Sequence, residues 1–165
     1  MYEKAAKMGE ASAMLNLGIL YARGFGGGST RAAVRLFRKA AAKGNRNACY
    51  NLGLYFEEGR GVRRSLQTAF RWYRRAADLG DTDAQRLVGF MLHEGKGIRK
   101  NPTEAVGWYR KAARKDDPVA QYNLGLSYLE GDGVRKSISL AQRLFEMAAR
   151  NGHRRAKTQL DRLRA

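Results

Sequence analysis

Residues 48–62 read Ala48-Cys49-Tyr50-Asn51-Leu52-Gly53-Leu54-Tyr55-Phe56-Glu57-Glu58-Gly59-Arg60-Gly61-Val62, and residues 69–77 read Ala69-Phe70-Arg71-Trp72-Tyr73-Arg74-Arg75-Ala76-Ala77. The first stretch carries Ala48, Leu52 and Phe56 at the spacing of one helix face. It runs into Gly59 and Gly61, residues that can take the positive φ that stops a helix and turns the chain. The second stretch places Ala69, Trp72, Tyr73 and Ala76 on one face of another helix. The spacing predicts a helix from about Ala48 to Glu58 and a second from about Leu66 to Leu79, joined by Gly59-Arg60-Gly61-Val62.

This two-helix unit recurs, and recurrence decides the fold. Gly18, Gly53, Gly89 and Gly125 lie 35, 36 and 36 residues apart. Ala13, Ala48, Ala84 and Ala120 stand five before them, and Tyr21, Phe56, Leu92 and Tyr128 three after. Glycine pairs follow (Gly59 and Gly61, Gly95 and Gly97, Gly131 and Gly133), trailed by Val62, Ile98 and Val134. Bulky pairs come next, Leu36-Phe37, Trp72-Tyr73, Trp108-Tyr109 and Leu144-Phe145, and each unit closes on a double alanine. The expected architecture is all-α: a solenoid spanning 1–165, with helix-pair repeats at about 10–44, 45–80, 81–116 and 117–152. Half-repeats occupy 1–9 and 153–165.

Capping residues agree with this parse. Ser65, Asn101 and Ser137 precede the second helices, and Asn45, Asp81 and Asp117 precede the first helices. Each can accept from a free backbone N–H, worth on the order of 1 kcal/mol. Pro102 and Pro118 fall on first turns, where a missing N–H matters little. Gly53 and Ala48 would let the paired helices approach, admitting Trp72 or Tyr73. Tyr2, Ala5, Ala6 and Gly9 match Phe37, Ala40, Ala41 and Gly44, so the chain opens on a second helix without its partner. That open end suits a longer array or a dimerisation surface. The Arg- and Lys-rich last helix, with Asp161 at the glycine position, reads as a polar cap.

The pattern Asn51-Leu52-Gly53-Leu54, Glu58-Gly59-Arg60-Gly61-Val62, Ala69, Trp72-Tyr73-Arg74-Arg75-Ala76-Ala77 and Gly80 resembles the Sel-one-like repeat family, relatives of the tetratricopeptide repeats. The resemblance covers essentially the whole chain. It implies a right-handed superhelix of α-hairpins with a concave inner face lined by the first helices. It also implies an adaptor that assembles complexes, as in bacterial signalling, envelope and host-interaction systems or eukaryotic protein quality control, or an immunity protein against a secreted toxin. The chain departs from the pattern at Gly24-Phe25-Gly26-Gly27-Gly28, where a looser first loop is expected, and at Asp116, which replaces a closing glycine. Many bacterial members carry a disulfide in each repeat; this chain has the single Cys49.

Charge is the outlying bulk property. Against 15 Asp and Glu stand 32 Lys and Arg, a net charge of +17, which favours acidic partners without specifying their kind. A lone cysteine gives no sign of an oxidising compartment. No apolar stretch approaches the roughly 20 residues that span a bilayer, and the start lacks the apolar core of a secretory leader. These features lean towards the cytoplasm.

Two surfaces are candidates for binding. On the concave face the resemblance implies, one row is Asn16, Asn51 and Asn123, interrupted by Leu87, and a second is Ile19, Leu54, Phe90 and Leu126, flanked by Tyr50, Arg86 and Tyr122. Stacked amides can bond a ligand backbone, and exposed apolar residues beside aromatic and Arg anchors have the composition of interface hot spots. Packing between neighbouring repeats accounts for either row equally well. The second surface is basic: Arg38, Arg74 and Arg110, with Lys39, Arg75 and Lys111 beside them, and Arg63-Arg64, Arg99-Lys100 and Arg135-Lys136 after the loops. These ladders could track phosphates or an anionic surface, but a solvated helix face is the commoner meaning, and no stacking aromatics interleave with them. The concave reading ranks first: a protein or peptide partner, with nucleic acid second and a purely structural segment of a longer scaffold third.

Catalysis has little support. His93 and His153 sit in different repeats, and His93 reads as an exposed variant of the position held by Glu57 and Leu129. No Cys/His set has metal spacing, no glycine loop carries the Lys-Ser/Thr of a phosphate cradle, and Cys49 occupies the place of Met14, Gln85 and Gln121. No enzyme activity, cofactor or metal is expected.

Overall fold

The computed structural model describes every residue except Met1, Tyr2, Glu3, Ala5, Lys7 and Ala165, together with the side chain of Arg164. Most of the expected opening half-repeat, Tyr2 and Ala5 included, therefore lies outside the described residues. Nine α-helices are described from Ala11 onward: α1 Ala11–Ala22, α2 Thr30–Ala42, α3 Arg46–Glu58, α4 Leu66–Asp78, α5 Thr82–Glu94, α6 Pro102–Ala113, α7 Pro118–Glu130, α8 Ile138–Arg150 and α9 Arg154–Arg164. The described residues contain no strand, so the chain is all-α. It divides into two compact units, Met1–Ala84 and Gln85–Ala165.

In the first unit, α1 pairs with α2 and α3 with α4, and α2 packs on α3. Helix α1 stops at Ala22, and the short loop forms a single 3₁₀ turn, Phe25–Gly27, that leaves Phe25 59% exposed. Helix α3 begins where Asn45 accepts from Ala48 N at 2.9 Å and ends at Gly59, whose φ of 76° is open to glycine at little cost. Ser65 and Ser29 cap α4 and α2 in the same way. Ala33, Phe37, Ala40, Ala48, Leu52, Ala69, Tyr73 and Ala76 are fully buried, each large ring contributing roughly 1.5–3 kcal/mol of transfer free energy. The ring that fills the space above Gly53 is Tyr73, and Phe37 fills that above Gly18. Trp72 is only half-buried, with Arg75 over its indole.

The second unit repeats the plan. Helix α7 packs on α6 and α8, and α9 on α8. Asn101, Asp117 and Ser137 each accept from the N–H three residues on. Tyr109 and Phe145 lie against Gly89 and Gly125 as Tyr73 does against Gly53. Asp116, standing where other repeats have glycine, adopts φ 59°. Aspartate tolerates this left-handed region better than most residues, and the turn is tied down locally. The fully buried Gln121 donates to Ala113 O at 3.2 Å and Asp116 Oδ1 at 3.4 Å, and Asn151 donates to Gln121 Oε1 at 3.0 Å. Ala156 and Leu160 bury against Phe145 and Ala148, while Arg154, Arg155 and Lys157 face solvent.

Candidate functional site

The first-helix row divides between the units. In the first unit Asn16, Ile19, Tyr50, Asn51 and Leu54, on α1 and α3, are all half-buried. Tyr50 leans on the Tyr73 ring, centroids 5.6 Å apart. Asn51 donates to Asn47 O in its own helix at 2.9 Å, so this amide has a structural partner.

In the second unit Arg86 and Phe90 lie on α5, and Tyr122, Asn123 and Leu126 on α7. Arg86 Nε donates to Asp117 Oδ2 at 3.3 Å, while Asp117 Oδ1 accepts from Ala120 N. Arg86 thus steadies the start of α7. Tyr122 tilts onto Phe145 and stacks on His153 at 4.3 Å. Asn123 lies beside the Tyr109 hydroxyl of the preceding repeat. Phe90 is the most open of the row, at 36% exposure.

A pocket of about 160 Å³ opens between α5 and α7 in this unit. It brings together Phe90, Asn123 and Leu126 from the row read in the sequence, and adds Tyr109, His93, Glu94 and Glu130. Burial, reinforced by the nearby Glu94 carboxylate, holds the proton on Tyr109 well above the usual phenol range. His93 is not the exposed variant expected. Only 27% of its side chain is open, because Nδ1 meets Glu94 Oε1 at 2.8 Å and Nε2 meets Asp132 Oδ2 at 3.1 Å. Asp132 also sits 3.8 Å from Lys100 Nζ. The two carboxylates at the pocket had a legible signal: Glu58, Glu94 and Glu130 each close a first helix, 36 residues apart.

The basic ladders are largely exposed, Arg38, Arg63, Arg64, Arg75, Arg99, Arg110, Lys111 and Arg135 among them, with Arg74 half-buried. Several already have local partners. Arg64 Nε donates to Glu57 O at 2.8 Å, Arg110 Nη2 to Tyr128 Oη at 2.8 Å, and Arg74 lies 3.8 Å from Asp78. The expectation that no aromatics interleave with these charges needs correcting. Lys111 Nζ stands 3.9 Å from the Trp108 ring centroid, Arg75 5.7 Å from Trp72, and Arg38 5.7 Å from Phe56. Adjacent turns of one helix make the first two pairs, a geometry that residue spacing along a charge ladder conceals. Trp108 and Phe56 are themselves buried.

Among the described residues the two histidines and the cysteine do not come together. His93 and His153 belong to different clusters. Cys49 is fully buried, and burial pushes its thiol up, away from a reactive thiolate. No cluster of three or more His, Cys, Asp or Glu suited to a metal occurs among the described residues, and no helix of the described residues is long and apolar enough to cross a membrane.

The Sel1 repeat profile matches residues 1–10, 11–45, 46–81, 82–117 and 118–153, nearly the whole chain. The protein belongs to the Sel1 repeat family. Its repeats run one residue later than the boundaries read from the glycine pattern. Among solved structures, it resembles a protective antigen of uropathogenic Escherichia coli with an SLR fold at 33% identity and a TM-score of 0.91, over 96% of this chain and 34% of that one. A Sel1 repeat protein from Oxalobacter formigenes matches at 35% identity and a TM-score of 0.79, over 96% of this chain and 64% of that one. The cysteine-rich protein B of Helicobacter pylori matches at 28% identity and a TM-score of 0.58, over 82% of this chain and 100% of that one. This chain thus spans about a third of the first of these proteins and just under two thirds of the second. No curated protein matches. Sel1 repeats generally mediate protein–protein interactions and form a non-catalytic type of scaffold.

Proposed function

We propose that this Sel1 repeat protein is an adaptor that binds a protein or peptide partner through the open sides of its first helices. The observation that carries the reading is the partly exposed apolar and aromatic row, Ile19, Tyr50 and Leu54 in the first unit and Phe90, Tyr122 and Leu126 in the second. In the second helices Phe37, Tyr73, Tyr109 and Phe145 are almost fully buried, while Phe70 and Trp72 are half-buried. The first-helix row keeps part of its surface in water, where covering it yields about 25 cal/mol per Å².

The test is a double variant, Leu54→Arg with Leu126→Arg. Protein captured from nuclease-treated lysate of the source cell is compared for the two forms, alongside thermal melts. A folded double variant that loses a stoichiometric partner supports the reading; one that keeps it sinks it. Material recovered only when nuclease is omitted would shift the function to the basic ladders, and such binding should weaken steeply with salt.

A further inference from the structure

We infer that the pocket between α5 and α7 accepts a cationic side chain, a lysine or arginine of the partner, although the protein as a whole is strongly basic. The inference rests on the first-helix reading above and specifies the partner's chemistry at one point of it. Glu94 and Glu130 are the last residues of α5 and α7. The C-terminal end of a helix is the negative end of its dipole. Carboxylates placed there add to the dipole instead of offsetting it, and both Glu94 and Glu130 line the pocket. Glu94 has His93 at 2.8 Å, and Glu130 forms no ion pair among the described residues.

The walls suit the rest of such a side chain. Phe90 and Leu126 present apolar surface to the methylene stem, as long basic side chains require. The Phe90 ring already attracts a cation, since Lys96 Nζ, from the loop after α5, stands 4.5 Å from its centroid. The protein's own ammonium therefore occupies a position the partner's cation would share. An acidic side chain would meet two carboxylates and a negative ring face instead. Net charge and pocket are reconciled by a partner segment that is acidic overall and offers one basic residue here.

The test is a two-dimensional NMR titration of the full chain with N-acetyl-arginine N-methylamide, with the glutamate analogue as control. Saturable shifts are expected at the amides of Phe90, Glu94, Leu126 and Glu130 with the arginine probe and not with the glutamate one. Glu94→Gln with Glu130→Gln should weaken arginine binding about fivefold. Glu130→Gln alone, a change at an exposed residue without an ion pair, should weaken it in the same direction. Lys96→Ala should strengthen it about twofold by removing the competing ammonium. Equal shifts with both probes, no saturable shift, or an unchanged affinity in the glutamine variants would overturn the inference. If the arginine probe fails while Leu54→Arg with Leu126→Arg still loses its partner, the cation pocket falls and the adaptor face stands. If the probe binds but the double variant keeps its partner, the adaptor face falls and the assignment of this pocket to a partner's side chain falls with it.

Discussion

At the scale of single residues, packing turns on where a side chain is missing. A Cβ on Gly53 would lie 2.4 Å from the Tyr73 ring, a distance no folded structure accepts without movement. A Cβ on Gly107, also inside a helix, would meet nothing within 4 Å. The two glycines therefore predict opposite outcomes. Gly53→Ala should destabilise by about 1–3 kcal/mol through overpacking, and Gly107→Ala should stabilise by about 0.5–1 kcal/mol through helix propensity. Paired thermal melts check both; similar changes in the two would contradict the packing account. The glycine period gave the expectation that a ring of the paired helix packs at Gly53. It left Trp72 and Tyr73 as equals, because neighbours on a helical wheel differ by only part of a turn. Tyr73 is chosen by its partners: it aligns with Ala69 and Ala77 along the buried ridge, and its hydroxyl reaches Glu57 Oε2 at 2.6 Å.

At the scale of elements, the repeat position ahead of α3, α5, α7 and α9 holds Asn45, Asp81, Asp117 and His153 in turn. The first three accept the N–H of the residue three on. His153 instead leaves that task to its backbone carbonyl, stacks on Tyr122, and keeps Nδ1 buried without a hydrogen-bond partner among the described residues. Burial first, and then nearby Arg155, hold its imidazole below the ordinary value of 6.5, against a smaller opposing pull from Asp117. The folded state therefore binds a proton less readily than the unfolded chain. Stability should be level above about pH 6.5 as far as this group is concerned, and should fall as pH drops from there towards the folded value. His153→Asn should remove that acid-side loss. Melting temperatures of both proteins between pH 7 and pH 5 measure it; parallel curves would show that His153 is not the titrating group.

At the scale of the whole molecule, a net charge of +17 on 165 residues repels itself. Raising ionic strength from about 0.01 M to about 0.15 M shortens the screening length from about 30 Å to about 8 Å. The melting temperature should rise by a few degrees over that range, contrary to what surface salt bridges alone would give. A fall would mean that pairs such as Arg86 with Asp117 and Arg74 with Asp78 outweigh the repulsion. The same charge had pointed to acidic partners everywhere. It could not show that Glu58, Glu94 and Glu130 each close a first helix, because a sum over residues has no address.

The period of 35 and 36 residues by itself determined the all-α class, the helix pairs and their caps, because each of those depends on contacts within a few turns of chain. With the family resemblance, it offered the first-helix row as a candidate surface, packing between repeats being the alternative. What only the tertiary structure decided was which of those residues have partners. Asn51 turns to its own helix, Asn123 to Tyr109, and Arg86 to Asp117. Phe90, His93, Glu94 and Glu130 gather around one pocket. Those are meetings between residues up to about one repeat apart, at distances of a few ångströms. A periodic sequence specifies that such neighbours meet, but the identity of each side chain in three dimensions decides whether they pair, stack or leave a cavity.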